Sequence, residues 1–289
     1  MRGLVVAIAV FTLALGTTAA GTSSAGALTT SSPNSLPPCT TAVASAPTLG
    51  HVQTHFVSGP VSPFGVAITS DSAHAFVADS AGALFVYSLT STTLKAETKG
   101  SFPGQSFLGL ALTPNGRFLV AAQGTGATVF DVARIERHTS PSSWTRGALQ
   151  SGGQGAIEAA VSPDGRVVFV TLENSDELAV FNLKKALAHG FRSSDLIGTI
   201  PLGIAPVGVA VSPGGHYLYV TSEATARNQS VGELTTIDLR KAKRSPAHAV
   251  VSTVGAGCSP VRVVATRSSV YVTARGSDAL LEFSASDLV

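Results

Sequence analysis

The sequence predicts an all-β protein consisting of a single β-propeller with five four-stranded blades. Three observations carry this prediction: similar segments recur five times, each combines apolar strands with polar turns, and their spacing suits a four-stranded blade. A repeat of this length cannot bury its apolar faces alone, so consecutive repeats must pack against one another. The repeats begin at Gly65, Gly109, Ala159, Gly208 and Val261.

The second strand of each repeat gives the spacing. Its equivalent positions are 44, 49, 50 and 52 residues apart, at Phe76, Val120, Phe169, Tyr219 and Tyr271. A propeller blade of four strands needs about 40–50 residues. The turn before this strand recurs as Thr113-Pro-Asn-Gly116, Ser162-Pro-Asp-Gly165 and Ser212-Pro-Gly-Gly215. Proline and glycine at these positions are typical of tight turns, so the recurring motif is structural.

The two ends of the repeat region predict how the ring closes. The fifth repeat ends with its third strand, Leu280–Phe283, whereas an additional strand, Val52–Val57, precedes the first repeat. We expect Val52–Val57 to become the fourth strand of the fifth blade. Closure of this kind removes an exposed sheet edge.

The first residues have the features of an export signal. Arg2 precedes a 12-residue apolar stretch, Leu4–Leu15, which is short for a membrane-spanning helix of about 20 residues. Small residues at Ala25–Ala27 predict cleavage, with an uncleaved anchor as the alternative. We therefore divide the chain into a signal peptide (1–27), a flexible leader rich in Ser, Thr and Pro (28–50) and the propeller (51–289). This division predicts a secreted or cell-surface protein without a transmembrane span after cleavage.

The cysteines and the charge narrow the function classes. An export signal and two cysteines, Cys39 and Cys258, predict a disulfide, with two free thiols as the alternative. Lys and Arg number 19 against 17 for Asp and Glu, a net charge of +2, so no strong field favours nucleic acid. We expect a monomer.

Three of the second strands carry a family resemblance. At Phe169–Thr171, Tyr219–Thr221 and Tyr271–Thr273, the chain resembles the Tyr-Val-Thr-Asn (YVTN) family of bacterial extracytoplasmic β-propeller repeats. The resemblance implies a propeller related to surface-layer proteins, stand-alone binding propellers or lactonase-like enzymes. Family rings are often seven-bladed, so five blades would be a departure. The fourth motif position also varies here, with Asp79, Gln123, Leu172, Ser222 and Ala274.

The start of each first strand holds the candidate catalytic residues. Three of the five equivalent positions are glycines, and the other two are Glu158 and Arg262. Both side chains are predicted to point into the mouth of the central channel. There, Glu158 would act as a general base and Arg262 would bind a carboxylate or a developing oxyanion. The alternative is a structural ion pair, or simple exposure at the rim.

The turns on the same face supply candidate ligand-binding residues: Asp79, Glu173, Asn174, Glu223 and Arg275. Ordinary polar turns are the alternative interpretation. We expect no metal site, because the sequence contains no clustered Asp-x-Asp loop and no Cys/His spacing. We also expect no cofactor, because nucleotide-binding and phosphate-binding motifs are absent.

These observations favour an exported binding or scaffolding module whose partner is a protein, a glycan or a small molecule. The alternative function is a lactonase-like hydrolase with its site at the channel mouth. The sequence itself leaves the choice between enzyme and binder open.

Overall fold

The computed structural model describes residues 39, 62–90 and 96–289. These residues form five antiparallel sheets, four with four strands and the last with three. The predicted signal peptide, nearly all of the predicted leader and the predicted closing strand Val52–Val57 lie outside the described residues.

The protein is an all-β, five-bladed propeller, as the sequence predicts. Blades 1 and 2 consist of β1 (Pro63–Ile68), β2 (His74–Asp79), β3 (Ala83–Ser88), β4 (Ala96–Ser101), β5 (Leu110–Leu112), β6 (Phe118–Gln123), β7 (Gly126–Asp131) and β8 (Thr145–Gln150). Blades 3 and 4 consist of β9 (Ala156–Val161), β10 (Val167–Leu172), β11 (Glu177–Asn182), β12 (Leu196–Pro201), β13 (Ile204–Val211), β14 (Tyr217–Ala224), β15 (Val231–Asp238) and β16 (Val250–Cys258). Blade 5 consists of β17 (Pro260–Ala265), β18 (Ser269–Ala274) and β19 (Ala279–Ser284).

The hydrophobic core lies between neighbouring blades. Phe76 of blade 1 and Phe130 of blade 2 belong to one buried cluster, and Phe181 of blade 3 packs with residues of blade 2 in the next. Two further clusters join blade 3 to blade 4 and blade 4 to blade 5. A further cluster, which includes Phe85 and Tyr87, lies within blade 1. The other four clusters show that sheets of consecutive blades bury faces by stacking on one another, which explains why the sequence repeats.

The turns between first and second strands have the predicted chemistry. Gly116, Gly165 and Gly215 have φ angles of 67°, 67° and 68°, a left-handed conformation that favours glycine. The Ser162 hydroxyl accepts a hydrogen bond from the Val167 N–H at 3.0 Å and so fixes the strand that follows the turn.

The insertions after the third strands begin with short helices, α1 (Val132–Glu136), α2 (Leu183–His189) and α3 (Leu239–Ala242). Each helix is capped by the last residue of the preceding strand, Asp131, Asn182 or Asp238, whose side chain accepts a backbone N–H three residues later. A short 3-10 helix follows in each insertion: Pro141–Ser143, Ser193–Asp195 and Pro246–His248. Other 3-10 turns are Glu173–Ser175, Arg275–Ser277 and Ala285–Leu288. Among the described residues, no helix has the length and apolar character needed to cross a membrane.

Cys39 and Cys258 form the predicted disulfide, with their Cα atoms 5.4 Å apart. Cys258 is the last residue of β16, so the bond attaches the leader to the end of blade 4. The closed loop spans 219 residues in sequence, and a crosslink of that length restricts the unfolded chain by several kcal/mol in the chain-entropy model.

Candidate functional site

The candidate site is built from equivalent positions on the first strands. Strand register confirms the alignment from sequence, because Leu110, Ala159 and Val209 pair with Ala121, Val170 and Val220 in their respective second strands. The residues that immediately precede these three on the first strands are Gly109, Glu158 and Gly208. In blade 5 the equivalent residue is Arg262, which pairs with Thr273. β-bulges interrupt the register here in blades 1, 3, 4 and 5, a distortion that re-aims side chains.

Glu158 and Arg262 form an ion pair between the first strands of blades 3 and 5. Nη1 of Arg262 donates a hydrogen bond to Oε2 of Glu158, so blade 3 contacts blade 5 although blade 4 lies between them in the chain. The Glu158 side chain is 19% exposed and that of Arg262 is 39% exposed. The two side chains therefore meet as the ion pair that the sequence analysis gave as its alternative interpretation, and both remain partly exposed to solvent.

Burial raises the pKa of Glu158 to about 7. Removal of the carboxylate from water is the largest cause, since it penalises the charged form. The Arg262 guanidinium and the Ala159 N–H act in the opposite direction, because both favour the carboxylate. The carboxyl group consequently exchanges its proton near neutral pH.

Phe64 completes the surroundings of Arg262 and was not anticipated from the sequence. Its ring centroid lies 5.0 Å from Cζ of Arg262, the geometry of a cation–π contact. Phe64 belongs to β1, so Arg262 touches blades 1 and 3 from its own place in blade 5. This one arginine joins the first and last blades of the ring.

The threonines of the repeated motif hold the backbone of the site. Thr171 accepts the Glu158 N–H at 3.0 Å and donates to the Val207 carbonyl of the next blade at 2.9 Å. Thr221 accepts the Gly208 N–H at 3.0 Å and donates to the Val261 carbonyl at 2.9 Å. The hydroxyl of Thr273 accepts the Arg262 N–H at 3.0 Å. The sequence shows only that threonine recurs at this motif position. In the structure, these threonines hold the backbone at Glu158 and at Arg262.

Glycine at the equivalent position of blade 2 makes room for Glu158. A Cβ atom on Gly109 would lie 2.6 Å from Cδ and 2.7 Å from Cα of Glu158. The Gly109 N–H donates to the Ile157 carbonyl at 2.8 Å, so the two first strands approach closely along their backbones.

A second charged cluster lies in the turns of the same face. Nη2 of Arg275 donates to Oε1 of Glu223 at 2.9 Å, joining blade 5 to blade 4. The pKa of Glu173 is raised, first by burial and then by the Glu223 carboxylate, while Arg275 opposes the shift. Glu173, Glu223 and Arg275, three of the five predicted ligand-binding residues, therefore interact electrostatically.

The other two predicted ligand-binding residues take part in turns. The Asn174 N–H donates to the Gln154 carbonyl at 3.2 Å. Asp79 is 2% exposed, and its Oδ1 accepts the Ala81 N–H at 2.8 Å. Within the described residues, no three His, Cys, Asp or Glu side chains are grouped as they would be around a metal ion.

A family model matches most of the chain. The family is described as "Lactonase, 7-bladed beta-propeller", and the match covers residues 46–288. The described residues form five blades rather than the seven of that description. No curated protein matches the sequence significantly.

Two solved structures share the fold at low sequence identity. The Kuenenia stuttgartiensis hydrazine synthase has a TM-score of 0.59 and 18% identity, over 78% of this chain and 59% of that one. A functionally unknown protein from Desulfotomaculum acetoxidans DSM 771 has a TM-score of 0.57 and 16% identity, over 73% of this chain and 62% of that one. The chain thus spans about three fifths of the length of these structures, and the similarity concerns the fold alone.

Proposed function

The chain belongs to the lactonase family of β-propellers, and on this basis we propose that it hydrolyses a cyclic ester at the channel mouth. The observation that carries the proposal is the Glu158–Arg262 pair. In this pair, a carboxyl group with a pKa of about 7 contacts a guanidinium that is partly exposed to solvent. A family name alone would not identify a reactive centre, since one fold hosts many functions.

Glu158 has the properties of a general base. Its pKa of about 7 places its proton exchange at neutral pH, where a base is most effective. The backbone that carries it is held by Thr171, so the carboxyl group has a defined position.

Arg262 supplies the matching positive charge. Its guanidinium forms an ion pair with Glu158 and contacts the Phe64 ring. The side chain is still partly exposed to solvent, so its remaining N–H groups are available to a ligand. A guanidinium beside the reacting carbonyl stabilises the negative charge that develops on its oxygen.

The proposed reaction is a proton-balanced hydrolysis. Glu158 takes a proton from a water molecule as the water oxygen attacks the lactone carbonyl, and Arg262 donates hydrogen bonds to the resulting oxyanion. Collapse of this intermediate breaks the ring C–O bond, and the leaving alkoxide receives the proton from Glu158. The product is an open-chain hydroxy acid.

The second candidate is an exported binding or scaffolding module of the Tyr-Val-Thr-Asn repeat type, with no turnover. The observation that favours it is the Cys39–Cys258 disulfide, because such bonds persist in oxidising compartments. In this alternative, the Glu158–Arg262 pair is structural, and the turn residues Glu173, Glu223 and Arg275 bind a protein, glycan or small molecule.

A lactone panel distinguishes the two candidates. The purified chain, Glu158→Gln and Arg262→Gln are compared for hydrolysis of five- and six-membered lactones at pH 8. Loss of a general base lowers the rate by about 10²–10⁴-fold, so Glu158→Gln should fall towards the buffer rate. Loss of an oxyanion donor costs about 10²–10³-fold, so Arg262→Gln should fall by that amount. The matched control is Glu233→Gln, which removes another glutamate whose pKa is raised by burial, located on β15.

Full turnover in Glu158→Gln, with an unchanged melting temperature, would exclude Glu158 as the base. Absence of turnover by the unmodified protein across the whole panel would favour the binding module instead.

A further inference from the structure

A basic cleft lies on the face of the propeller opposite the channel mouth. It has a volume of about 470 Å³ and lies between blades 2 and 3. Its walls come from the turns after β5 and β9, the start of β8 and the helix α2. Because Glu158 stands near the start of β9, the cleft is separated from it by the length of a strand.

Four cations line this cleft, and none of its lining residues is acidic. They are Arg117, Arg146, Arg166 and Lys184. All four are exposed, and within the described residues none forms an ion pair or a side-chain hydrogen bond. The carboxylate of Asp164 lines an adjoining cleft, but it is already paired with Lys243, whose Nζ atom lies 2.8 Å from Oδ2. The cleft therefore holds four positive charges without compensation, in a chain whose net charge is only +2.

Such an arrangement favours the binding of an anion. Like charges repel, and a cleft lined by one sign of charge raises the local concentration of counter-ions. Among the other cations of the described residues, Lys185 and Arg275 have carboxylate partners. Arg240 and Arg244 are exposed and form no ion pair with another described residue. The exceptional feature here is the grouping of unpaired cations around one concave surface.

The lining residues also define the chemistry of the ligand. Three of the cations are arginines, whose planar forks bind phosphate or carboxylate through two parallel hydrogen bonds. The Cζ atom of Arg117 lies 5.5 Å from the Phe118 ring centroid, which restrains that guanidinium. Leu187 and Ala188 add a small apolar wall, and the volume suits a small molecule.

We propose that this cleft binds a small oligoanion, a molecule carrying at least three negative charges on phosphate or carboxylate groups. The site is independent of the channel mouth and does not require that the protein be a hydrolase. A ligand with several anionic groups is required because one charge would leave most of the cations unpaired.

Calorimetric titration of the full chain at about 20 mM salt tests the proposal, with inorganic tripolyphosphate and trigalacturonate as the two probes. We expect saturable binding of at least one probe, weakened as salt rises because the interaction is electrostatic. Tighter binding of tripolyphosphate would identify phosphate as the recognised group, and tighter binding of trigalacturonate would identify carboxylate.

Substitution distinguishes a site from general positive charge. Arg117→Gln and Arg166→Gln should each weaken binding about tenfold, the effect of losing a charge-assisted hydrogen bond. The matched control removes two exposed, unpaired cations on the same face with Arg240→Gln and Arg244→Gln. Glu158→Gln should leave the affinity unchanged, which separates this proposal from the hydrolase.

Two results would overturn the proposal. One is the absence of saturable binding of both probes at low salt. The other is a loss of affinity in the Arg240/Arg244 control as large as the loss in the cleft variants, since net charge alone would then explain the binding.

Discussion

The Thr221 hydroxyl donates a hydrogen bond to the Val261 carbonyl of the next blade at 2.9 Å. The same hydroxyl accepts the Gly208 N–H of its own blade at 3.0 Å. Val261 immediately precedes Arg262, so this one buried hydroxyl connects the middle of blade 4 to the backbone of a candidate catalytic residue. Thr171 makes the same pair of bonds one blade earlier, beside Glu158.

Removal of the Thr221 hydroxyl should therefore destabilise the junction between blades. Thr221→Val removes the side-chain partner of the buried Gly208 N–H and of the partly buried Val261 C=O, at a cost of about 1–3 kcal/mol in the free energy of unfolding. Thr221→Ser keeps the hydroxyl and should retain most of that stability. Urea unfolding of the three proteins measures the difference.

A second buried threonine in the same blade provides the control. Thr236 is fully buried on β15, and its hydroxyl has no hydrogen-bond partner among the described residues. Thr236→Val makes the same change in shape without breaking a bond, so it should be neutral or stabilising. An equal loss of stability in Thr221→Val and Thr236→Val would refute a specific role for the Thr221 bonds.

Gly109→Ala should displace Glu158. The new methyl group would lie 2.7 Å from the Glu158 Cα atom, and backbone atoms cannot move aside as a flexible side chain can. We expect a loss of about 1–3 kcal/mol in the free energy of unfolding, as for other overpacked sites. Any lactone hydrolysis should fall as well, because the base is moved from its position.

The control for Gly109→Ala is Gly152→Ala. A Cβ atom on Gly152 meets no atom within 4 Å, so this variant should be as stable as the unmodified protein. Thermal unfolding compares them, and an unaltered melting temperature for Gly109→Ala would contradict the close approach of the two strands.

The sequence predicted the repeat architecture because strand and turn patterns are local. The spacing from Phe76 to Tyr271 and the glycines Gly116, Gly165 and Gly215 specify blades and turns without long-range information. The equivalence of Glu158 and Arg262 also followed from the repeat, and the structure brings these two positions into contact. By contrast, the Phe64 contact with Arg262 depends on how far the first and last blades approach, which no local pattern encodes.

The basic cleft was beyond sequence analysis for a similar reason. Arg117 and Arg166 each follow a turn glycine at the same repeat position, but Arg146 and Lys184 come from other strands and a helix. They converge only when blades 2 and 3 stack. The hydroxyl bonds of Thr171 and Thr221 were likewise hidden, since the motif shows a recurring threonine but not its partner in the next blade.

A surface ion pair should give a small, acid-sensitive contribution to stability. Lys243 Nζ lies 2.8 Å from Oδ2 of Asp164 and joins the α3 insertion of blade 4 to the turn of blade 3. Burial acts to raise the pKa of Asp164, but hydrogen bonds from Lys243, Ser162 and the Arg166 N–H outweigh it and lower the pKa to about 2.

Because the folded pKa of Asp164 lies below the unfolded value of about 4, this stabilisation is present above pH 4 and disappears as the pH falls towards 2. Asp164 is 44% exposed, so we expect Lys243→Gln to cost only about 0.5 kcal/mol at pH 6. The cost should fall to about half or less near pH 2 in chemical denaturation, because the carboxyl group is then about half protonated. Lys241→Gln removes an exposed lysine that has no ion-pair partner among the described residues, so it should have no effect at either pH. An undiminished cost of Lys243→Gln at pH 2 would exclude the ion pair as its cause.

The ionisation of Glu158 should have opposite effects on stability and on activity. Its folded pKa of about 7 lies above the unfolded value of about 4.3, so the folded protein binds the extra proton between these values. The stabilisation that this carboxyl provides is therefore complete below pH 4.3 and is lost as the pH rises through 7, by about 4 kcal/mol at most. Hydrolysis should instead increase through pH 7, because the base must be ionised. The glutamine of Glu158→Gln cannot ionise. Urea unfolding from pH 4 to 8.5 should therefore show a smaller decline in the free energy of unfolding for this variant than for the unmodified protein. Parallel stability curves for the two proteins would mean that Glu158 does not titrate near neutrality.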